Sequence, residues 1–145
     1  MSLSMTRAER EAFLADLHVG MISIERDGAA PLCVPIWYDY TPEAGVWVIT
    51  GADSQKGRAL QAAGRFSLCA QQEAMPYKYV SVEGTILETR PCDTEKDSRP
   101  MARRYFGVEG GDAYVAATAE QDATSLVFRM QPERWRTVDY GKLGG

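Results

Sequence analysis

The chain has 145 residues, 45% hydrophobic and 25% charged, and its 16 Lys and Arg against 20 Asp and Glu leave a net charge of −4. That is the length of one domain with enough apolar content for a core, which excludes an extended disordered polymer. Scattered basic residues argue against a nucleic-acid footprint, no apolar run reaches the ~20 residues of a membrane helix, and the polar start lacks a secretory signal, so a cytoplasmic single domain over residues 1–145 is expected.

Thr6 and Glu9 form a capping-box pattern that opens a short helix, with Phe13, Leu14 and Leu17 as its apolar stripe. His18, the only histidine, falls at that helix's C-terminus, where the peptide dipole favours a cation. "VGMISIER" and "PLCVPIWYDY" read as strands joined through the turn signal Asp27-Gly28. "GVWVIT" follows a Thr-Pro-Glu-Ala-Gly turn, which predicts a second hairpin with the strand before it. A helix from Ser54 to Ala63 comes next, and Gly64 sits where a left-handed residue ends a helix.

"RFSLCAQQ" and the long "YKYVSVEGTILETR" return to strand chemistry, with Gly84 marking a bulge or a close backbone approach. From Cys92 to Gln121 the pattern is polar and helical. Pro100 lies near the start of one helix, Gly107 stops it, and Asp112 is placed to cap a second. "ATSLVFRMQ" and "RWRTVDY" close the chain as strands. Six or seven antiparallel strands with two or three short helices predict a mostly-β fold, a closed or nearly closed barrel that leaves few exposed edges.

Cys33, Cys69 and Cys92 are far apart and unpaired with His, so they suggest neither zinc nor a disulfide framework and are expected to be buried apolar residues. Trp47 is expected in the barrel core. Walker, dinucleotide-fingerprint, nucleophile-elbow and metalloprotease patterns are all absent, so any chemistry must arrive with a cofactor.

One stretch is unusual. "TGADSQKGRAL" places Lys56 and Arg58 in the first turn of a helix, the end where the dipole is positive and cations are unfavourable. The Ser54 hydroxyl, the free N–H groups of that turn and the Lys56 ammonium together suit a phosphate monoester. The alternative is that Lys56 and Arg58 are solvated surface residues, a cost of a few tenths of a kcal/mol that proteins tolerate.

The ordered set "PLCVPIWYDY…GVWVITGADSQKGRAL…GRFSLCAQQEAMPYKYVSVEGTI" resembles the split β-barrel flavin and deazaflavin oxidoreductases related to pyridoxamine 5′-phosphate oxidase, over residues 6 to 90 and more loosely in the last strands. The resemblance implies a homodimer that holds FMN or the deazaflavin coenzyme F420 at the subunit interface. It places Val34, Pro35, Ile36 and Trp37 along the cofactor ring. Thr50, Ser54 and Lys56 fall at the cofactor phosphate, beside Gln55 and Arg58. Tyr77 and Tyr79 border the ring pocket, with Tyr79 or Tyr77 as the proton donor or substrate contact, and Trp135 approaches the partner's site.

Gln55 replaces the Arg usual beside the Lys, and the tail "RWRTVDYGKLGG" lacks the Arg-x-His grip of the vitamin-converting oxidases. These departures point away from a tightly held FMN phosphate and from pyridoxamine phosphate as substrate, while "WYDY" and "YKYVSVEG" resemble stretches of deazaflavin-using relatives, which slightly favours that cofactor. The expected activity is hydride transfer between the cofactor and a small organic substrate. The rival reading is a flavin, deazaflavin or haem binder without turnover, the haem version disfavoured by the single imidazole.

Overall fold

The computed structural model describes residues 2–144. It has eight strands and three helices: α1 (Arg7–Ala15), β1 (Gly20–Ile24), β2 (Leu32–Ile36), β3 (Asp39–Thr41), β4 (Gly45–Gly51), α2 (Gln55–Ala63), β5 (Arg65–Gln72), β6 (Lys78–Pro91), α3 (Arg99–Asp122), β7 (Ser125–Met130) and β8 (Arg134–Asp139). The hydrogen-bonded path is β2-β1-β5-β6-β7-β4-β3, with every pairing antiparallel. Long β6 joins the two halves of this half-barrel. Its first part pairs with β5 and β8, its second with β7, and a register shift between Ile86 and Glu88 bends it. Gly84 supplies the expected close approach, because a Cβ there would overlap the Gln131 carbonyl oxygen.

Alternating side chains of the strands meet inside the curl. Ile22, Leu68, Val80, Val82, Val46, Val48, Phe128 and Met130 are fully buried there, and α1 and α2 close over the core with Leu14 and Leu60. The Thr6 capping box forms, with Glu9 N–H donating to Thr6 Oγ1 at 3.2 Å and Thr6 N–H to Glu9 Oε1 at 2.7 Å. Leu17 departs from the expected stripe. The helix ends at Ala15, so Leu17 leaves the helical face and is 56% exposed.

The strand expected over "PLCVPIWYDY" breaks at Trp37–Tyr38, and the hairpin into β4 is made by β3 alone. The cause is distant in sequence. Tyr38 N–H donates to the Tyr105 hydroxyl at 3.0 Å, and Arg104 Nε donates to the Tyr38 carbonyl at 3.0 Å, so α3 takes the backbone groups a continuous strand would use.

Gly107 does stop the first part of α3, with φ 78° and ψ 175°, but the second part begins directly after it. Asp112 is therefore inside the helix and is not its cap. Its carboxylate accepts from Arg103 Nε at 2.9 Å and Arg99 Nη1 at 2.8 Å, bonds that tie the two parts together. The cysteines also differ from expectation: Cys33 is exposed and Cys69 and Cys92 are half-buried, because Cys33 points outward from the edge strand β2. Trp47 is half-buried between Asp39 and Arg129 on the neighbouring strands instead of in the core. Among the described residues no helix is long and apolar enough to cross a membrane.

The turn that delivers α3 is fixed by an ion pair. Asp97 is 3% exposed, and its carboxylate receives Arg90 Nη1 at 2.7 Å, Arg90 Nη2 at 2.6 Å and the Asp93 N–H at 2.8 Å. Burial opposes its ionisation, but these bonds outweigh burial and hold the carboxyl below its ordinary value. A group with a depressed folded-state pKa stabilises above its unfolded pKa and loses that contribution as pH falls through the folded value. Asp97→Asn should therefore cost about 1–3 kcal/mol at neutral pH in urea unfolding, a range already reduced for the solvated edge of Arg90. The gap to the wild type should close as pH drops below the ordinary carboxylate pKa of 3.8.

Candidate functional site

The handover from β4 to α2 is made by Ser54. Its side chain accepts from Gly57 N–H at 3.0 Å and its hydroxyl donates to the Gly51 carbonyl at 2.7 Å. With that proton committed, Thr50 Oγ1 is the donor in the 3.1 Å contact with Ser54 Oγ. The Ser54 hydroxyl is thus spent on the cap and is not free to donate to a phosphate. What remains at the start of α2 are the N–H groups of Gln55 and Lys56, which find no acceptor among the described residues. Thr50 itself is 7% exposed, with its acceptor lone pairs unused.

Beside this helix start lies a cleft of about 440 Å³ between the ends of β2 and β4 on one side and α3 on the other. Pro35, Ile36, Trp37, Thr50 and Lys56, all expected at a cofactor, line it together. Ile49 and Val19 extend the barrel wall. From α3 come Met101, Ala102, Tyr114, Thr118 and Asp122, none of which the sequence reading assigned to a site. Their signal was nevertheless present. Tyr114, Thr118 and Asp122 recur every four residues and so share one helical face. Trp37 is fixed by a stacked contact with Tyr105, ring centroids 4.8 Å apart at an interplanar angle of 7°, and by the edge of Phe106 at 5.1 Å.

Lys56 is half-buried, lines the cleft and forms no ion pair among the described residues. An unpaired ammonium at a helix start is electrostatically unsatisfied in the protein alone. Arg58 is exposed and parts company with it. Arg58 and Gln55 line a separate shallow depression with Glu25, Arg26 and Asp27. The first turn of α2 directs the two cations to different faces.

The other expected residues also lie elsewhere in the single chain. Val34 is half-buried against the core, opposite Ile22 on β1. Tyr77 and Tyr79 are 52% and 37% exposed, with Tyr79 between Gln71 and Val138 on the outer sheet. Trp135 packs edge-on to Tyr40, centroids 6.0 Å apart, beneath the Arg10 guanidinium.

His18 stacks on Phe13 at 4.4 Å, and its Nε2 lies 3.1 Å from the Phe13 carbonyl. Burial pushes its pKa below the ordinary imidazole value despite that hydrogen bond, so the dipole-favoured cation expected from sequence is not the favoured form. It does not line the cleft. No group of three or more metal-ligating side chains occurs among the described residues.

The family model for pyridoxamine 5′-phosphate oxidase matches residues 6–139. Among solved structures, a conserved hypothetical protein, Rv2991, from Mycobacterium tuberculosis superposes with a TM-score of 0.80 at 22% identity, covering 99% of this chain and 90% of that one. An F420 reductase gives 0.72 at 18% identity, covering 87% and 94%. A FAD- and haem-binding protein from Mycobacterium smegmatis gives 0.67 at 16% identity, covering 98% and 80%. These likenesses establish the fold. No curated protein matches significantly.

The geometry makes Gly57 a sensitive position. A Cβ there would overlap the Gly51 carbonyl oxygen, so the start of α2 must move away from β4 to admit one. Gly57→Ala should lower thermal stability by about 1–3 kcal/mol, the scale of overpacking, as read by calorimetry. It should also open the Ser54 cap, seen as faster amide exchange at Gly57 and its neighbours.

Proposed function

Because the chain belongs to the pyridoxamine 5′-phosphate oxidase family, we propose that it is an oxidoreductase whose cleft holds FMN or the deazaflavin coenzyme F420 for hydride exchange with a small organic substrate. The observation that carries this reading is Lys56, an unpaired cation beside free helix-start N–H groups, in the same cleft as the apolar wall of Pro35, Ile36, Ile49 and Met101. A cofactor with a flat ring and a phosphate-bearing tail has the same division into an apolar body and an anionic end. The residues fit it.

When bound, such a cofactor supplies the ring that accepts or releases the hydride. The chain's own part is positional. Lys56 and the N–H groups of Gln55 and Lys56 anchor the anion, and Thr50 offers its hydroxyl oxygen to a donor of the tail. The apolar wall keeps water from the ring, and Trp37, clamped by Tyr105 and Phe106, sets the width of the slot. Pyridoxamine phosphate is not the substrate proposed, since Gln55 lines a different depression and His18 does not line the cleft.

Two copies form the working unit in this reading. Leu17, Val19 and Met21 are 56%, 53% and 37% exposed in one stretch that reaches the cleft at Val19, the kind of apolar surface that a partner covers. Tyr77, Tyr79 and Trp135 act on the partner's cleft, with Tyr79 or Tyr77 as substrate contact. A second reading, a binding protein without turnover, is favoured by one feature. The ionisable side chains lining the cleft are Lys56, Tyr114 and Asp122, and both Asp122 oxygens already accept hydroxyl bonds. Steady-state oxidation of reduced cofactor with a panel of enones and quinones separates the two: turnover above the cofactor-only rate rejects the pure binder.

Fluorescence titration with FMN and with F420 is the direct test, and micromolar binding of at least one is expected. Lys56→Ala should weaken that binding by about 1.5–3 kcal/mol, the loss of a charge-assisted bond, with the melting temperature little changed. If neither cofactor binds, or the variant binds as the parent does, the cationic corner is ordinary solvated surface.

A further inference from the structure

The anion end of the cleft contains a negative charge as well as a positive one. Asp122 is the last residue of α3 and lines the same cleft as Lys56. Its carboxylate is held in place from both sides, by the Thr94 hydroxyl at 2.6 Å and the Ser98 hydroxyl at 2.7 Å, so it is fixed where it stands. It forms no ion pair among the described residues.

The C-terminus of α3 adds to it, because the last turn carries no basic residue to offset the carbonyl end of the helix dipole. Two backbone links bring this end against the start of α2: Ser125 pairs with Gly51, and Ala52 N–H donates to the Thr124 carbonyl at 2.9 Å. Lys56 and a positive helix start therefore face one carboxylate and a negative helix end. The second cation in the sequence, Arg58, lies on the other face of α2 and does not alter the balance.

We propose that Asp122 is a specificity-determining residue that limits the anion end to a singly charged phosphate, the phosphodiester of a tailed deazaflavin such as F420, and rejects the doubly charged phosphate monoester. A monoester carries close to two negative charges at neutral pH, and the second has no counter-charge here. A phosphodiester carries one. The inference rests on the reading that the cleft holds a flavin-type cofactor, and within that reading it favours F420 over FMN and over FAD, whose pyrophosphate also carries two charges.

The test compares riboflavin, FMN, FAD and F420 in fluorescence titrations of the wild-type protein and Asp122→Asn. Wild-type protein should bind F420 more tightly than FMN or FAD, and should gain little from the doubly charged phosphates of FMN and FAD relative to riboflavin. Asp122→Asn should tighten FMN and FAD about tenfold, F420 less, and riboflavin not at all. FMN and riboflavin moving together, or FMN unmoved, overturns the proposal.

A measurement on the wild-type protein guards against a misfolded variant. Lowering the pH from 7.5 to 5.5 passes the second phosphate ionisation near 6, so FMN should bind more tightly at the lower pH while riboflavin stays level. The titratable groups facing the anion are Lys56, Tyr114 and Asp122. Were Lys56 alone in control, acidification would weaken FMN instead, which overturns the proposal. Binding of no flavin or deazaflavin to either protein removes the cofactor reading itself, an outcome distinct from the other two.

Discussion

The contact between Gly57 and the Gly51 carbonyl governs the rest of the site. α2 starts so close to the end of β4 that only a residue without a Cβ fits, and Ser54 locks that approach by accepting from one side and donating to the other. The consequence is directional. The first turn cannot rotate, so Lys56 is held toward the cleft and Arg58 away from it. A looser junction would leave two cations averaging over solvent, where they have little effect.

The opposite wall depends on a different constraint. Arg104 donates to the carbonyls of Tyr38 at 3.0 Å, Ala15 at 3.1 Å and Asp16 at 2.9 Å, and its guanidinium meets Asp39 at 3.2 Å. Tyr105 accepts the Tyr38 N–H at 3.0 Å and donates to the His18 carbonyl at 2.6 Å. These bonds satisfy backbone groups left over where α1 ends and β2 breaks, which would otherwise be costly to bury. They also fix α3 against the barrel, and the turn at Gly107 then carries its second half across the cleft. Satisfying the broken strand and building the wall are one structural event.

How much was readable in advance follows from the range of the interactions. The start and end of α2, the Thr6 cap and the strands β4 to β7 are set by residues a few positions apart, and their signals are explicit in the sequence. The split of β2 from β3 is set by Tyr105, 67 positions from Tyr38, and no local pattern announces it. Asp112 looked like a cap because caps and ion-pair partners use the same residue type. Only the positions of Arg99 and Arg103 in space tell them apart. In the site, the strand-end residues were legible through the family pattern. The α3 face is legible only as a four-residue spacing, since Tyr114, Thr118 and Asp122 become a wall only where the kink at Gly107 sets the second part of the helix against the barrel.

The division of labour within the cleft follows from where its charges lie. Lys56 and Asp122 stand at the helix-end junction, while Pro35, Ile36, Ile49 and Met101 are apolar. A ring seated against that apolar wall would feel few protein charges directly, so the wall can exclude water and set distance but cannot steer a proton. If the proposed reading holds, a group that distinguishes one substrate from another comes from Tyr114, Thr118 or a second chain. Tyr114 is 40% exposed and packs beside Trp37 with centroids 5.2 Å apart, so it both shapes the slot and presents a phenol at its edge. The barrel side of the cleft is thus an apolar wall fixed by the strands, and α3 adds Tyr114 and Thr118 as polar groups away from the charged junction.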